Sequence, residues 1–128
     1  MSIEAGGTFI CNDEELTEDN QHLWVIVSDP SAYQECVVIV NLSSSSNTRY
    51  DPACDLKQGD HWFVKHPSFV YYRGAKVLTS RQLEEANISH KTSVSSDVLA
   101  RIRDGARKTN RLPRHIKQHL IDQGIIPV

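Results

Sequence analysis

Two short apolar runs in the N-terminal half of the chain constrain the fold more than any other feature. The runs are His22 to Ser28 (HLWVIVS) and Cys36 to Leu42 (CVVIVNL), and Asp29-Pro30 marks a turn after the first. Both are rich in β-branched residues and have the length of strands. Neither alternates between apolar and polar residues, which indicates burial on both faces or closure of the sheet into a small barrel. We therefore expect two central strands here.

Shorter segments complete a predicted barrel-like sheet over residues 7–78. The further predicted strands are Gly7 to Cys11, Ala53 to Leu56, His61 to Lys65, Ser68 to Tyr72 and Gly74 to Leu78. After Leu78 the pattern becomes helical, with N-cap residues at Thr79 or Ser80 and at Ser95 or Ser96, and with Pro113 in the first turn of a last helix. The expected fold class is β-rich α+β, a small β-barrel over 7–78 followed by two or three helices over 79–128.

Composition and length place the chain among ordinary globular proteins. Its 128 residues suit a single domain. The composition is ordinary, with 39% hydrophobic residues, 23% charged residues and a formal charge of -2, and it does not indicate any particular class of binding partner. The three cysteines show no CxxC spacing, which fits a reducing compartment and predicts a cytoplasmic protein. No apolar run approaches the roughly 18 residues that span a bilayer, and the N-terminus lacks the order of a signal peptide, so we expect no membrane partner.

Side chains that could act in catalysis or bind a metal are most concentrated in the segment CDLKQGDHWFVKH, from Cys54 to His66. Histidine exchanges protons near neutral pH, so His61 and His66 are candidate acid–base residues, and Asp60 could fix the tautomer of His61. On a strand the two histidines would face opposite sides, which favours His61 with Asp60 as the catalytic pair. The alternative is a turn whose Asp and His side chains bind nearby backbone.

A zinc site is a second possibility for the same segment. Cys54, His61 and His66 are competent ligands, and His22 or Cys11 could supply a fourth. Structural zinc sites usually contain paired ligands two to four residues apart, and this spacing is missing here. We therefore predict no metal and no cofactor, and expect Cys54 to pack as a small apolar residue.

Other polar and aromatic residues suit contacts with RNA. Ser43 and Ser44 follow an apolar strand, where a hydroxyl can orient a phosphate or a 2′-hydroxyl, although four serines in a row are also typical of a loop. Arg49 could contact a phosphate and Arg73 could stabilise the charge that develops during phosphodiester cleavage, or both could be ordinary surface residues. Tyr72 belongs to an aromatic set that could stack on unpaired bases or fill the core: Trp62, Phe63, Phe69, Tyr71 and Tyr72.

The two ends of the chain carry opposite charge. Residues 1–20 contain six acidic and no basic side chains, whereas residues 101–117 contain seven Lys or Arg and one Asp. Arg101, Arg107 and Lys108 are therefore candidate contacts for a nucleic acid backbone. A non-enzymatic module that binds a protein or nucleic acid through these basic helices is an alternative function, and a solvated helix face would explain the charges without a partner.

The order of the segments HLWVIVSDP, CVVIVNLSSS and FVYYRGAKVLTSRQLE, followed by helices, resembles the PemK/MazF-like fold over roughly residues 7–88. The resemblance implies an SH3-like barrel and a metal-independent endoribonuclease toxin that cuts single-stranded RNA, works as a homodimer and is inhibited by an antitoxin protein. It also implies that Ser43 or Ser44 lines the cleavage site. The family has an arginine near the first strand pair, and the segment before His22 has no basic residue, so the chain resembles a divergent branch.

Overall fold

A computed structural model describes residues 3–13, 22–30, 35–46 and 49–128 of the chain. These residues are β-rich and form both strands and helices. In chain order the elements are β1 (Thr8–Cys11), β2 (Leu23–Ile26), β3 (Cys36–Ser44), β4 (Asp55–Leu56), β5 (Ser68–Thr79), α1 (Ser80–Glu85), β6 (Ile88–Lys91), α2 (Ser96–Lys108) and α3 (Arg114–Asp122). The predicted β-rich α+β class is confirmed at this level.

The strands form one antiparallel sheet in the order β4-β5-β3-β2-β1-β6, which curls into a half-barrel. The two apolar runs are β2 and β3 at its centre, and all four residues of β2 are buried. Because side chains alternate along a strand, Val25 and Val40 point to one face, while Trp24 and Asn41 point to the other. Burial on both faces explains why the runs do not alternate in the sequence.

Each face of the sheet carries its own apolar cluster. The larger cluster joins β2, β3 and β5 to the buried sides of α2 and α3, including Ile102 and Ile116. The smaller cluster covers the opposite face, where Phe9, Trp24 and Ile39 pack with Leu83 of α1. The polar residues Asn41, Ser43, Ser44 and Ser68 lie at the end of β3 and the start of β5, which pair with each other.

The predicted strand from His61 to Lys65 is wrong, because the segment is part of a loop between β4 and β5 (residues 57–67, the 57–67 loop). The Val64 amide donates to the His61 carbonyl over 2.9 Å, and the Phe63 amide donates to Nδ1 of His61 over 3.1 Å. These local bonds replace the pairing that a strand needs. The predicted placement of the two histidines on opposite faces of a strand therefore fails as well.

Two further boundaries differ from the prediction. The segments expected on either side of Arg73 form one strand, β5, of 12 residues. In addition, β6 lies inside the region predicted to be helical, where it pairs with β1 at the edge of the sheet. The sequence ISHK of β6 is short and polar, so its strand conformation depends on the partner strand rather than on its own composition.

The helices begin where the sequence predicts. In α1, Thr79 and Gln82 form a reciprocal capping box, and in α2 the Ser95 hydroxyl accepts from the Val98 amide over 3.1 Å. Pro113 stands immediately before the first residue of α3. Within the described ranges, no helix has both the length and the apolar character required to cross a membrane.

Candidate functional site

A bulge in β5 shapes the first candidate site. The pairing of β3 with β5 shifts between Ile39, which lies opposite Lys76, and Asn41, which lies opposite Tyr71, so residues 72–75 leave the regular register. Bulges redirect side chains and are common next to functional sites. A Cβ atom at Gly74 would be 2.9 Å from Cδ2 of Tyr71 and 3.3 Å from Oδ1 of Asn41. The glycine therefore leaves room for the Tyr71 ring beside Asn41.

Three residues predicted from the sequence lie around Tyr71. The Nη1 atom of Arg49 donates to the Tyr71 hydroxyl over 3.4 Å. Ser43 is buried and shares the face of Asn41, two positions further along β3, and Arg73 is exposed within the bulge. We call Asn41, Ser43, Arg49, Tyr71 and Arg73 the β3–β5 site.

Ser44 lies next to this site but points to the other face of β3. Its hydroxyl is 2.9 Å from the hydroxyl of Ser46, and it also accepts from the Ser46 amide over 3.3 Å. The serine run is thus a strand end followed by a turn, closed by its own side chains. Of the two serines predicted to contact RNA, the structure brings only Ser43 to the face of Asn41.

Two buried polar atoms beside the β3–β5 site have no hydrogen-bond partner within the part of the chain that the structure describes. They are Oδ1 of Asn41 and Nε1 of Trp24, which lie on neighbouring strands at directly opposed positions. Buried polar groups are normally bonded to protein or to ordered water. An acceptor and a donor left open on paired residues are groups to which a polar group of a ligand could bind.

A cleft of about 460 Å³ adjoins the β3–β5 site at the β4 edge of the sheet, and we call it the edge cleft. Phe69 connects the two, because it lies opposite Ser43 on one side and opposite Asp55 on the other. The cleft is lined by Ser45, Tyr50, Asp55, Leu56, Lys57, Pro67, Ser68 and Arg101. Hydroxyl groups, two cations and the Asp55 carboxylate thus surround a space large enough for part of a nucleotide chain.

Tyr50 and Asp55 form a hydrogen-bonded pair in the edge cleft. The Tyr50 hydroxyl donates to Oδ1 of Asp55 over 2.7 Å, and this bond to an acceptor raises the pKa of Tyr50 above its ordinary value. The Tyr50 ring packs edge-on against Phe69, with the ring centroids 5.3 Å apart. Tyr50 therefore remains a protonated phenol at neutral pH.

Asp60 is held by α2 rather than presented to a ligand. Arg101 donates to both carboxylate oxygens, over 3.0 and 3.2 Å, and the Lys57 amide donates to Oδ2 over 2.8 Å. The hydrogen bonds from Arg101 keep the pKa of Asp60 below its ordinary value. Arg101 also donates to the Asp55 carbonyl over 2.9 Å. Asp60 and Arg101 therefore fasten β4 and the 57–67 loop to α2. The predicted hydrogen bond between Asp60 and the His61 ring is absent from the described contacts.

His61 is buried, and both of its ring nitrogens are engaged. Nδ1 accepts from the Phe63 amide over 3.1 Å, and Nε2 lies 2.5 Å from the Thr92 carbonyl. Since a carbonyl only accepts, the hydrogen-bond network assigns the ring hydrogen to Nε2. Neither nitrogen is open to a substrate in this arrangement, so the geometry gives His61 a structural role.

His66, unlike His61, has an exposed side chain, and among the described residues its ring has no hydrogen-bond partner. Its backbone is fixed, because the Ser68 hydroxyl donates to the His66 carbonyl over 3.0 Å. His66 also directly precedes Pro67, which lines the edge cleft. It is therefore the histidine of the predicted pair that can reach a ligand.

The placement of Tyr72 contradicts its predicted stacking on RNA. Its side chain is fully buried in the larger cluster, and its hydroxyl donates to the Ile102 carbonyl over 2.6 Å. Cys54 lies against it, and burial raises the pKa of the Cys54 thiol to about 11. Tyr72 and Cys54 therefore belong to the core, as expected for Cys54 and contrary to the expectation for Tyr72.

The basic residues of the C-terminal helices are largely paired within the molecule. Arg107 and Lys108 contact Asp104 over 2.8 and 2.7 Å. Arg103 donates to the Val27 carbonyl over 2.9 Å, and Arg111 donates to the Tyr50 carbonyl over 2.6 Å. Part of the positive charge of residues 101–117 thus fastens helices to the sheet and its loops.

The structure brings together only some of the predicted site residues. Arg49 contacts Tyr71, Ser43 shares the face of Asn41 opposite Tyr71, and Arg73 lies two positions along the same strand, whereas Asp60 and His61 hold the 57–67 loop. Sequence reasoning missed Asn41 and Lys57. A signal for Asn41 was present, because it is the one polar residue inside the apolar run CVVIVNL.

Within the described ranges, no three His, Cys, Asp or Glu side chains lie close enough to hold a metal ion, and Cys11, Cys36 and Cys54 are free thiols. Comparison of the chain with protein-family models, curated proteins and solved structures gives no significant match.

Proposed function

We propose that this chain binds single-stranded RNA across the β3–β5 site and the edge cleft and cuts it without a metal ion. The observation that supports this proposal is the arrangement around Tyr71. Arg49 donates to the Tyr71 hydroxyl, the buried Asn41 opposite Tyr71 has an unpartnered oxygen, and exposed Arg73 lies two positions further along the strand that borders the cleft. Cations for phosphates, an aromatic ring for bases and polar groups for the 2′-hydroxyl are what single-stranded RNA requires.

The chemistry follows from the reactivity of RNA itself. The 2′-oxygen attacks the adjacent phosphorus, the bond to the 5′-oxygen breaks, and the products are a 2′,3′-cyclic phosphate and a 5′-hydroxyl. In this proposal His66 takes the proton of the 2′-hydroxyl, a water molecule gives a proton to the leaving 5′-oxygen, and the protonated His66 then neutralises the hydroxide that remains. Arg49, Arg73 and Lys57 offset the charge that develops on the phosphate.

The proposal extends to the family and setting of the protein. The curled antiparallel half-barrel is compatible with an SH3-like, PemK/MazF-like toxin fold. In that setting the protein is a cytoplasmic homodimer of a toxin–antitoxin or mobile-element system and is inhibited by an antitoxin protein. Growth arrest on induced expression, relieved by a neighbouring gene, tests this part separately.

The cleavage proposal is tested with purified protein, a labelled single-stranded RNA and a chelator. We expect cleavage that leaves a cyclic phosphate, and a loss of about 100-fold or more for His66→Ala, the magnitude typical of a general acid–base group. His115→Ala is the matched control, because His115 is an exposed histidine on α3. Absence of cleavage by the unaltered chain, or full activity of His66→Ala, contradicts the proposal.

A second candidate is a non-enzymatic module that binds nucleic acid or protein through the basic helices. One observation favours it: Arg114 and Lys117 are exposed at the start of α3. Binding without cleavage, lost when both residues are replaced by Glu and retained in His66→Ala, would support this candidate in place of the nuclease.

A further inference from the structure

Trp62 exposes a large aromatic surface that the fold does not require. Its side chain is 50% exposed, whereas Trp24, the second tryptophan, is 5% exposed. Trp62 follows His61 at the tip of a turn that the Val64 amide closes on the His61 carbonyl. Gly, Asn, Asp, Pro and Ser suit such positions for conformational reasons, and Trp offers no comparable advantage. An exposed aromatic residue at this place points to a binding role.

The turn that carries Trp62 is rigidly held on both sides. Before it, His61 is buried and contacts the Thr92 carbonyl. After it, the Phe63 amide donates to His61, and the side chain of Val64 is buried in the larger cluster. Trp62 is therefore presented to solvent by a fixed backbone, and little conformational freedom is lost when its ring takes a partner.

The surroundings of the Trp62 ring are aromatic and cationic. The His61 ring stacks beside it at a centroid distance of 5.8 Å and an interplanar angle of 30°. The ammonium of Lys65 lies 5.9 Å from the ring centroid, and His66 follows it. Stacking surfaces flanked by cations are how proteins hold unpaired nucleotides, with the base on the ring and the phosphate on the cation.

The position of the turn relative to the edge cleft supports the same partner. The two ends of the 57–67 loop, Lys57 and Pro67, line the edge cleft, and Trp62 lies between them in the chain. A nucleotide chain that leaves the cleft along this loop would reach the ring. The Phe63 ring packs edge-on against Trp62 at a centroid distance of 5.9 Å, but the Lys65 ammonium beside the same ring favours an anionic partner over an apolar protein surface.

We propose that Trp62 is the surface on which an unpaired base of the RNA stacks, with Lys65 contacting a neighbouring phosphate. This inference rests on the proposed RNA-binding function and adds a residue that positions the substrate. Trp62 takes no part in the bond-breaking step. Its ring fixes one nucleotide, so that the next phosphate is held at the edge cleft.

The experiment uses a short single-stranded oligonucleotide with 2′-O-methyl groups, which binds but cannot be cut. We expect Trp62→Ala to weaken binding on the order of 10-fold, and Trp62→Phe to retain most of it because the aromatic face remains. Oligonucleotide binding should quench the tryptophan fluorescence of the unaltered protein. In Trp62→Phe, where buried Trp24 is the remaining tryptophan, the quench should be much smaller than in the unaltered protein.

Lys65→Ala and Arg81→Ala separate the cation beside Trp62 from the general positive charge of the protein. Lys65→Ala should reduce the salt dependence of binding, and Arg81→Ala, which removes an exposed arginine of α1, should not. Binding by Trp62→Ala equal to that of the unaltered protein, or binding without quenching, overturns the inference and leaves the proposed function standing. No binding by the unaltered protein overturns both.

Discussion

At the scale of single residues, Gly105 is the point where α2 comes closest to the sheet. A Cβ atom at this position would be 2.8 Å from Cβ of Cys54 and 3.0 Å from the Ala53 carbonyl, and it would overlap the Tyr72 hydroxyl. The hydroxyl cannot retreat, because it donates to the Ile102 carbonyl. The absence of a side chain at Gly105 therefore sets the distance between α2 and β5.

Gly105→Ala tests this contact. Alanine is preferred over glycine in a helix by about 1 kcal/mol, but overpacking in a fitted core costs about 1–3 kcal/mol. We expect a net decrease in the free energy of unfolding, measured by urea denaturation. Ala100→Gly, on the exposed side of the same helix, should lose about 1 kcal/mol through propensity alone. A Gly105→Ala variant more stable than the unaltered protein would contradict the close approach.

At the scale of elements, the 57–67 loop is fixed to α2 by the pair of Asp60 and Arg101. The carboxylate is 12% exposed and receives both guanidinium bonds. The pKa of Asp60 lies below its ordinary value of 3.8 in the folded protein. The pair therefore contributes its full stability above that value, and the contribution is lost as the pH falls through the folded-state pKa.

Asp60→Asn should lower the free energy of unfolding by about 1–2 kcal/mol at neutral pH, a range reduced for the solvent screening of half-exposed Arg101. The difference from the unaltered protein should narrow in strong acid, measured by urea denaturation across the acid range. Asp97→Asn is the matched control, because Asp97 lies 3.8 Å from the same arginine and is 82% exposed. A stability difference that does not change with pH would count against the assigned role of the pair.

At the scale of the whole molecule, His61 joins the two edges of the sheet. It stands in the loop after β4, and its partner Thr92 follows β6, which is the opposite edge of the strand order. The Thr8 hydroxyl donates to the same Thr92 carbonyl over 2.7 Å. The 57–67 loop thus spans the open side of the half-barrel and holds its edges together.

His61→Ala should therefore destabilise the fold by about 1–3 kcal/mol, because a buried carbonyl bond and a turn are lost together. Amide hydrogen exchange in β6 should become faster, since the edge strand loses its link to the β4 side. His66→Ala, in the same loop but exposed, should stay within about 0.5 kcal/mol of the unaltered protein. An unchanged unfolding midpoint and unchanged exchange in His61→Ala would refute the closing role.

The sequence by itself determined the elements whose signals are local. The apolar runs predicted β2 and β3, and the hydroxyl groups of Thr79 and Ser95 predicted the starts of α1 and α2. Capping bonds and burial patterns depend on neighbours a few positions away, so both can be inferred from the sequence. For the candidate site, the same local information singled out Ser43, Arg49 and Arg73. The structure shows a contact of Arg49 with Tyr71 and places Ser43 on the face of Asn41, and the roles of all three stay predictions.

Only the tertiary structure decided which polar groups are used for folding and which remain for a ligand. His61 and His66 are equivalent histidines in the sequence, and the partner that separates them, Thr92, lies 31 positions from His61. Asp60 is likewise separated from Arg101 by 41 positions. Such pairs form because the sheet curls and α2 packs across it, and no periodicity along the chain records which distant segments meet. The same packing buried Tyr72 and left Trp62 exposed.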